Sequence, residues 1–366
     1  MHIKKLKVQK EICFDTETSS LDIQSAKLAG IAFSCEEGKA YYVPTLSNTE
    51  EIVKKLSPLF SDSNILLIGH NLKYDIQILS KYGILFHENV FDTMLAHYVI
   101  SPEGSQKLDV LSENHLNHKC IPIEDVIGKK GVNQMSMIDI PVENVYEYAC
   151  EDADLTFQLT RILEEQLKDK SLHDFFKTIE LPLIPVLMEM EYNGVFVDSE
   201  MLLSMSQGIS KKLDVLQEKI FSVSGKEFNV NSTQQLANIL FDEMKLPQIK
   251  KRSTAEEVLK KLKNYHELPD FILQYRKYYK LKNTYLDSLQ KLVNEDTERI
   301  HSTFNQMIAS TGRLSSTNPN FQNIPIRTDE GREIRKSFIA QKENWKIFSA
   351  DYSQVELRMM AHFSND

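Results

Sequence analysis

No run of apolar residues in this chain approaches the roughly 20 needed to span a bilayer; the longest, such as Ile65-Leu66-Leu67-Ile68, are far shorter. No apolar segment follows the charged start Met1-His2-Ile3-Lys4-Lys5, so no secretory signal is legible. Cys13, Cys35, Cys120 and Cys150 are scattered without a C-x-x-C pair, which gives neither a zinc ribbon nor a disulfide framework. Internal repeats and low-complexity tracts are also lacking. These absences describe a reduced, cytoplasmic protein without a membrane partner. What is present is ordinary for a globular chain: 366 residues, 42% hydrophobic and 26% charged. At about 100–200 residues per domain that length allows two or three domains with real cores.

The formal charge of -9 is unevenly spread. Residues 1–180 hold 18 Lys and Arg against 28 Asp and Glu, and the remainder holds 25 against 24. Within the remainder, residues 250–282 carry ten basic and four acidic side chains. An acidic first half suits a metal-carboxylate site or solvated helices. A basic stretch suits a phosphate backbone, where Lys and Arg displace counterions, or a solvated helix face.

Short apolar runs at 12–14, 28–33, 40–43 and 65–68 read as strands separated by Gly and acidic turns. Helical periodicity follows at 72–79, 90–99, 108–115 and 142–167. Strands first and helices later predict a mixed α/β unit with helices on the faces of a sheet. A boundary is expected near Leu181-Pro182-Leu183-Ile184-Pro185, after which the pattern is nearly all helical, with Ser232 or Thr233 capping a helix at 234–240. Residues 271–292 interleave aromatic and basic side chains. Residues 300–304 and 347–350 read as strands, and 354–363 as an amphipathic helix.

Three acidic clusters stand out. Asp15-Thr16-Glu17 ends a buried strand, and the period of two puts Asp15 and Glu17 on one face. Two carboxylates held together either bind a cation or keep a proton. In Asn71-Leu72-Lys73-Tyr74-Asp75 a strand leads into a helix, placing Asp75 on its first turn at the sheet's end. Tyr148-Ala149-Cys150-Glu151-Asp152 puts Tyr148 and Asp152 on one helix face while Glu151 and Asp154 turn elsewhere. Each piece alone is common on solvated turns and helices.

Together, in order and spacing, the three resemble the exonuclease motifs of the DEDD superfamily, tyrosine subclass. The resemblance implies a ribonuclease-H-like fold and a 3′–5′ exonuclease. Asp15, Glu17, Asp75 and Asp152 would hold two divalent cations, Mg²⁺ first with Mn²⁺ or Zn²⁺ as alternatives, and Tyr148 would orient the attacking water. It also implies DNA contacts by Leu21, as a wedge at the terminal base, and by Asn71 and Tyr74. It places Met137 among the DNA contacts as well, at a position where the family often has an aromatic residue for base stacking.

The second half carries longer matches: Ser310 to Ser316, Asn318 to Pro325 and Asp351 to Arg358 resemble the palm of the family A DNA polymerases. Asp351 would be one carboxylate of the polymerase metal site, and Glu356 would crowd the sugar 2′ position. Arg313, Gln322, Asn323 and Gln354 would contact DNA, the first three as donors to minor-groove acceptors. The helix at 271–292 would lie along duplex phosphates as a thumb element. The expected layout is an exonuclease domain over 1–178, a mainly helical thumb over 179–299 and a partial palm over 300–366. A later carboxylate strand and the fingers are not reached, so the expectation is a polymerase fragment without polymerisation of its own, or one that meets a second chain supplying those parts. Its partners would be single-stranded DNA 3′ ends and primer–template duplex. The alternatives are an RNA-trimming exonuclease of the same superfamily and a non-catalytic DNA-binding remnant.

Overall fold

Ile12 and Phe14 alternate with Cys13 and Asp15 along Glu11–Thr18 (β1), so the strand feeds apolar side chains to both faces of a sheet and its acids to one. In the computed structural model, which describes residues 3–365, β1 is the central strand of five. It pairs antiparallel with Leu28–Glu36 (β2), which pairs with Lys39–Pro44 (β3). On its other side it runs parallel to Leu66–Gly69 (β4), which is followed by Val90–Asp92 (β5), giving the order β3-β2-β1-β4-β5. The mixed sheet flanked by helices is the expected one.

Thr49–Phe60 (α1) and Leu72–Ser80 (α2) cover one face around Phe14, Phe33 and Phe60, with Phe14 and Phe60 edge to face at 5.0 Å. The other face takes Thr93–Ile100 (α3), Leu108–Leu116 (α4) and the long Val142–Asp169 (α5). Where α5 crosses β2 the contact is made by Ala149 and Ala153 against Ala29 and Ala32, which lets helix and sheet approach closely.

The helix expected over 90–99 is a strand followed by a helix. Val90 and Phe91 join the sheet edge, and Asp92 stops the strand because its carboxylate is committed elsewhere. It caps α3 by accepting from the N–H groups of Met94 (2.8 Å) and Leu95 (3.1 Å). The same carboxylate accepts from Asn71 (3.2 Å) and Leu72 (2.8 Å), holding the start of α2. One buried side chain thus anchors two helix N-termini.

Two compact units form: residues up to Tyr192 with Phe304–Ser315, and Asn193–Thr303 with the residues from Ser316 onward. The first reaches past the division expected after residue 178 because Leu181–Asn193 (α6) buries Leu181 and Ile184 in the same core as Phe91 and Phe176. It also takes in a segment expected to belong to the palm. There the Phe304 N–H donates to Glu191 Oε1 (2.6 Å), Gln306 Nε2 to Glu180 Oε2 (2.6 Å) and the Tyr98 hydroxyl to the Ala309 carbonyl (2.7 Å). Glu191 also receives Lys73, from α2, and Gln77 Nε2 (2.6 Å) in a buried ion pair.

The second unit is mainly helical, as expected. Ser199–Ser224 (α7), Glu256–Leu262 (α8) and Leu268–Lys280 (α9) share one core with Val197, Leu236, Ile324 and Ile334. Asp198 caps α7 through the Met201 N–H (2.9 Å), and Ser232 caps the helix Thr233–Ala237 through the Gln235 N–H (3.3 Å). The run at 347–350 is not a strand. Ile347 and Phe348 are exposed, and no neighbouring strand pairs with them among the described residues. Val355–Ser364 (α10) is the expected helix, exposed along its length. Among the described residues no helix is long and apolar enough to cross a membrane.

Two predictions follow from the β4–β5 edge. Asp92→Ala strands four N–H groups and should cost about 2–4 kcal/mol in denaturant unfolding; a loss under about 0.5 kcal/mol, the range of an ordinary surface change, would contradict the anchoring role. His70, pairing through Nδ1 with Thr93 Oγ1 (2.9 Å), is pushed down from 6.5 to about 4 by desolvation. The unfolded chain therefore binds the extra proton first, and this contribution is complete above pH 6.5 and lost as pH falls toward 4. Across that window the stability difference between wild type and His70→Gln should shrink on acidification; a constant difference would refute it.

Candidate active site

The acids expected to act together come from three elements that meet at the end of β1. β1 pairs with β4 only through Glu11–Cys13, because β4 stops at Gly69. Beyond that point the Thr16 N–H has no strand to bond, and Asp75, on the first turn of α2, takes it at 3.0 Å while also receiving the Thr16 hydroxyl at 2.5 Å. Asp75 is thereby locked to the strand carrying Asp15 and Glu17. Those two face α5, where Tyr148 and Asp152 lie one turn apart and the tyrosine hydroxyl donates to the carboxylate. Glu151 and Asp154 do turn elsewhere: Glu151 accepts from the Ile121 N–H (2.6 Å) and Asp154 from the Gly38 N–H (2.8 Å).

The electrostatics are those of like charges out of water. Burial pushes the Asp15 carboxyl up from 3.8 to about 6. Glu17, Asp75 and Asp152 are held well above the usual carboxylate range, by burial first and then by the negative charge of Asp15. The charges acting on Glu17 are Asp15, Asp152 and Asp75; those on Asp152 are Asp15, Glu151 and Asp109. Glu17 is 6% exposed, and its Oε1 has no hydrogen-bond partner. Among the described residues no three His, Cys, Asp or Glu side chains are drawn together tightly enough to grip a metal ion as they stand. The four acids share a neighbourhood and not a coordination shell. The donor set nonetheless fits a hard divalent cation: all the ligands are carboxylate oxygens, one is orphaned and buried, and every charge named as acting on Glu17 or Asp152 is acidic.

The other expected residues divide. Leu21 is 89% exposed on a loop fixed from two sides. The Tyr74 hydroxyl donates to the Ser20 carbonyl (2.7 Å) and pairs with Thr18 Oγ1, and Ser136 Oγ donates to the Ser19 carbonyl (3.0 Å). Tyr74 is thus engaged in holding the loop. Asn71 is left-handed (φ 68°) at the N-terminus of α2. Met137, expected at a base-contact position, is packed instead among Ala29, Ala32, Ile140 and Ala149, leaving 6% of it exposed. Arg313 lies exposed in the segment that belongs to the first unit. In the second unit Gln322 and Asn323 are exposed on a short 3₁₀ turn whose Asn323 carbonyl accepts from the Tyr285 hydroxyl (2.8 Å). Asp351, Gln354 and Glu356 are exposed, Asp351 on irregular chain and Glu356 in the first turn of α10. Asp92 and Thr16 were missed as positioning residues. The Asp-Thr step between two apolar runs is an N-cap signal that pointed to the first; nothing in the sequence pointed to the second.

Residues 2–168 match the family described as 3′–5′ exonuclease, and residues 199–366 match DNA polymerase family A. The chain is 41% identical to DNA polymerase I of Pseudomonas aeruginosa and 42% identical to that of Borreliella burgdorferi, in each case over 100% of its own length. It spans only 42% and 40% of those two proteins. Its fold also superposes on the solved POL domain of Pol1 from M. smegmatis, in complex with DNA primer-template and dNTP, with a TM-score of 0.81 at 30% identity, covering 100% of this chain and 61% of that one. An exonuclease match and a polymerase match in tandem, on one chain alignable throughout with these relatives, place it in a single group: the chain belongs to the family A DNA polymerases.

Proposed function

We propose that the first unit is a metal-dependent 3′–5′ exodeoxyribonuclease that trims DNA 3′ ends to 5′-nucleotides, in the service of DNA replication and repair. The observation that carries this reading is the cluster of Asp15, Glu17, Asp75 and Asp152, held by three elements with acidic neighbours and an orphaned buried oxygen. DNA is the proposed substrate because the relatives are DNA polymerases and the solved one holds a primer-template.

The four acids would hold two divalent cations, Mg²⁺ first, whose chemistry is to lower the pKa of an attacking water and to neutralise the leaving oxygen. The Tyr148 phenol is driven up by burial and by the Asp152 charge, so at neutral pH it stays protonated. It donates to Asp152 and is suited to orient a water, not to take its proton. Leu21, projecting from its clamped loop, offers an apolar edge against which a terminal base could be parted from its neighbour.

Asp152→Ala should lower the hydrolysis rate of a 3′-labelled single-stranded DNA by about three orders of magnitude while binding is largely kept, and matched RNA should be the poorer substrate. An unchanged rate in Asp152→Ala would sink the assignment, and preference for RNA would move it to the RNA-trimming branch. Independently of activity, Asp15→Asn should melt above wild type in EDTA, because one repelling charge is gone. Mn²⁺ should raise the wild-type midpoint and leave that of Asp15→Asn nearly unmoved. A wild-type midpoint indifferent to Mn²⁺ would contradict cation binding.

A further inference from the structure

Tyr42 lies on β3 opposite Ala32 of β2. Its ring leans along the sheet onto Gly30, where a Cβ would come within 2.2 Å of the tyrosine Oη and 2.3 Å of Cζ. The hydroxyl therefore fills the place of the side chain that residue 30 lacks. Gly30 is in turn the register partner of Glu17, and cross-strand partners on one face sit about 4.5–5.5 Å apart at Cβ. The face is the same: Tyr42 packs against the cluster that holds Ala32, Met137 and Ala149, as Tyr148 of α5 also does, on the side to which Glu17 points. The phenol oxygen thus occupies the side-chain place of the residue paired with Glu17, a buried carboxylate whose Oε1 has no donor. Burial, and after it the charge of Glu17, keeps the phenol protonated and able to donate.

We propose that Tyr42 is a positioning residue for Glu17: its hydroxyl, not bonded to Oε1 in this structure, is the donor available to this carboxylate in the orientation in which it would hold a cation. The small residue at 30 is what admits the ring. This rests on the nuclease reading and adds to it a residue outside the three acidic motifs, placed by a strand on the far side of β2.

The test is Tyr42→Phe, which keeps the ring and removes one oxygen. The Mn²⁺ concentration giving half of the maximal thermal shift should rise about 10- to 100-fold, and turnover of single-stranded DNA should fall by a similar factor with KM for the oligonucleotide unchanged. In a Glu17→Gln background the same substitution should cost nothing further, because Tyr42 acts through Glu17. An unshifted Mn²⁺ midpoint, or an equal loss in both backgrounds, would overturn the role of Tyr42. Equal nuclease rates in wild type and Glu17→Gln would instead overturn the exonuclease reading itself, and the proposal with it. Gly30→Ala supplies a second route: its Cβ must displace the ring, so a Mn²⁺ midpoint as in wild type would also count against the proposal.

Discussion

Four carboxylates gathered at one end of a sheet repel one another, and with acidic charges acting on Glu17 and Asp152 nothing in their own chemistry brings them there. Their placement has to be imposed by backbone and by apolar packing. The sheet does this with Ile12, Phe14 and Cys13, which fix β1 from both faces. The alanine contact of α5 on β2 brings the helix close enough for Asp152 to join the acids of β1. The cost appears as raised pKa values on all four groups, each unit of which is worth about 1.4 kcal/mol of preference for the neutral form. A fold that carries such a cost at its centre needs a rigid surround, and Asp92 is the clearest part of it: one carboxylate satisfies N–H groups at the starts of both α2 and α3.

The second unit resolves its charges differently. Of the basic stretch at 250–282, Lys250 pairs with Glu257, Arg252 with Asp242, Lys260 with Glu256, Lys277 with Glu330 and Lys282 with Asp287. Arg276 donates to the Thr254 carbonyl (2.5 Å). The interleaved aromatics are also accounted for locally. Tyr275 is buried and stacked on Tyr279, while Lys212 and Lys219 of α7 lie over Tyr278 and Phe271 at 5.3 and 5.8 Å. Exposed pairs of this kind contribute little to stability, typically under about 1 kcal/mol each. They do lower the positive field that the sequence count suggests, so phosphate attraction by this stretch is weaker than ten basic residues against four acidic imply.

Long elements were legible because their patterning is local. The short apolar runs of β1 to β4 and the 3.6-residue period of α2, α4 and α5 are properties of the residues themselves. The errors fall where tertiary partners decide. Val90-Phe91-Asp92 is too short for a period of two to show, and it runs without a break into a helical stripe; only its pairing with β4 makes it a strand. Ile347 and Phe348 fail in the opposite sense, being apolar enough for a strand with no strand to pair with among the described residues. The membership of Phe304–Ser315 in the first unit depends on Glu180 and Glu191, more than 110 positions away. At the site, the resemblance of three acidic segments to exonuclease motifs pointed to four acids and a tyrosine. The bond from Thr16 to Asp75 and the leaning of Tyr42 onto Gly30 belong to the folded sheet alone.

The site itself can be traced to a difference in strand length. β1 continues through Thr18, whereas its pairing with β4 ends at Cys13. Had β4 continued, the Thr16 N–H would have joined the ladder and Asp75 would have had no donor to approach. Because it stops at Gly69, where a side chain would collide with Leu72 at 2.4 Å, the chain turns at once into α2 and delivers Asp75 to the vacated edge. The other edge of β1 stays paired with β2 through Glu17, so the two acids of the strand remain rigid while the third swings in from the open side. A sheet that pairs on one side and is cut short on the other exposes a backbone donor beside a carboxylate pair. That geometry recruits a further acid to a place where electrostatics alone would refuse it.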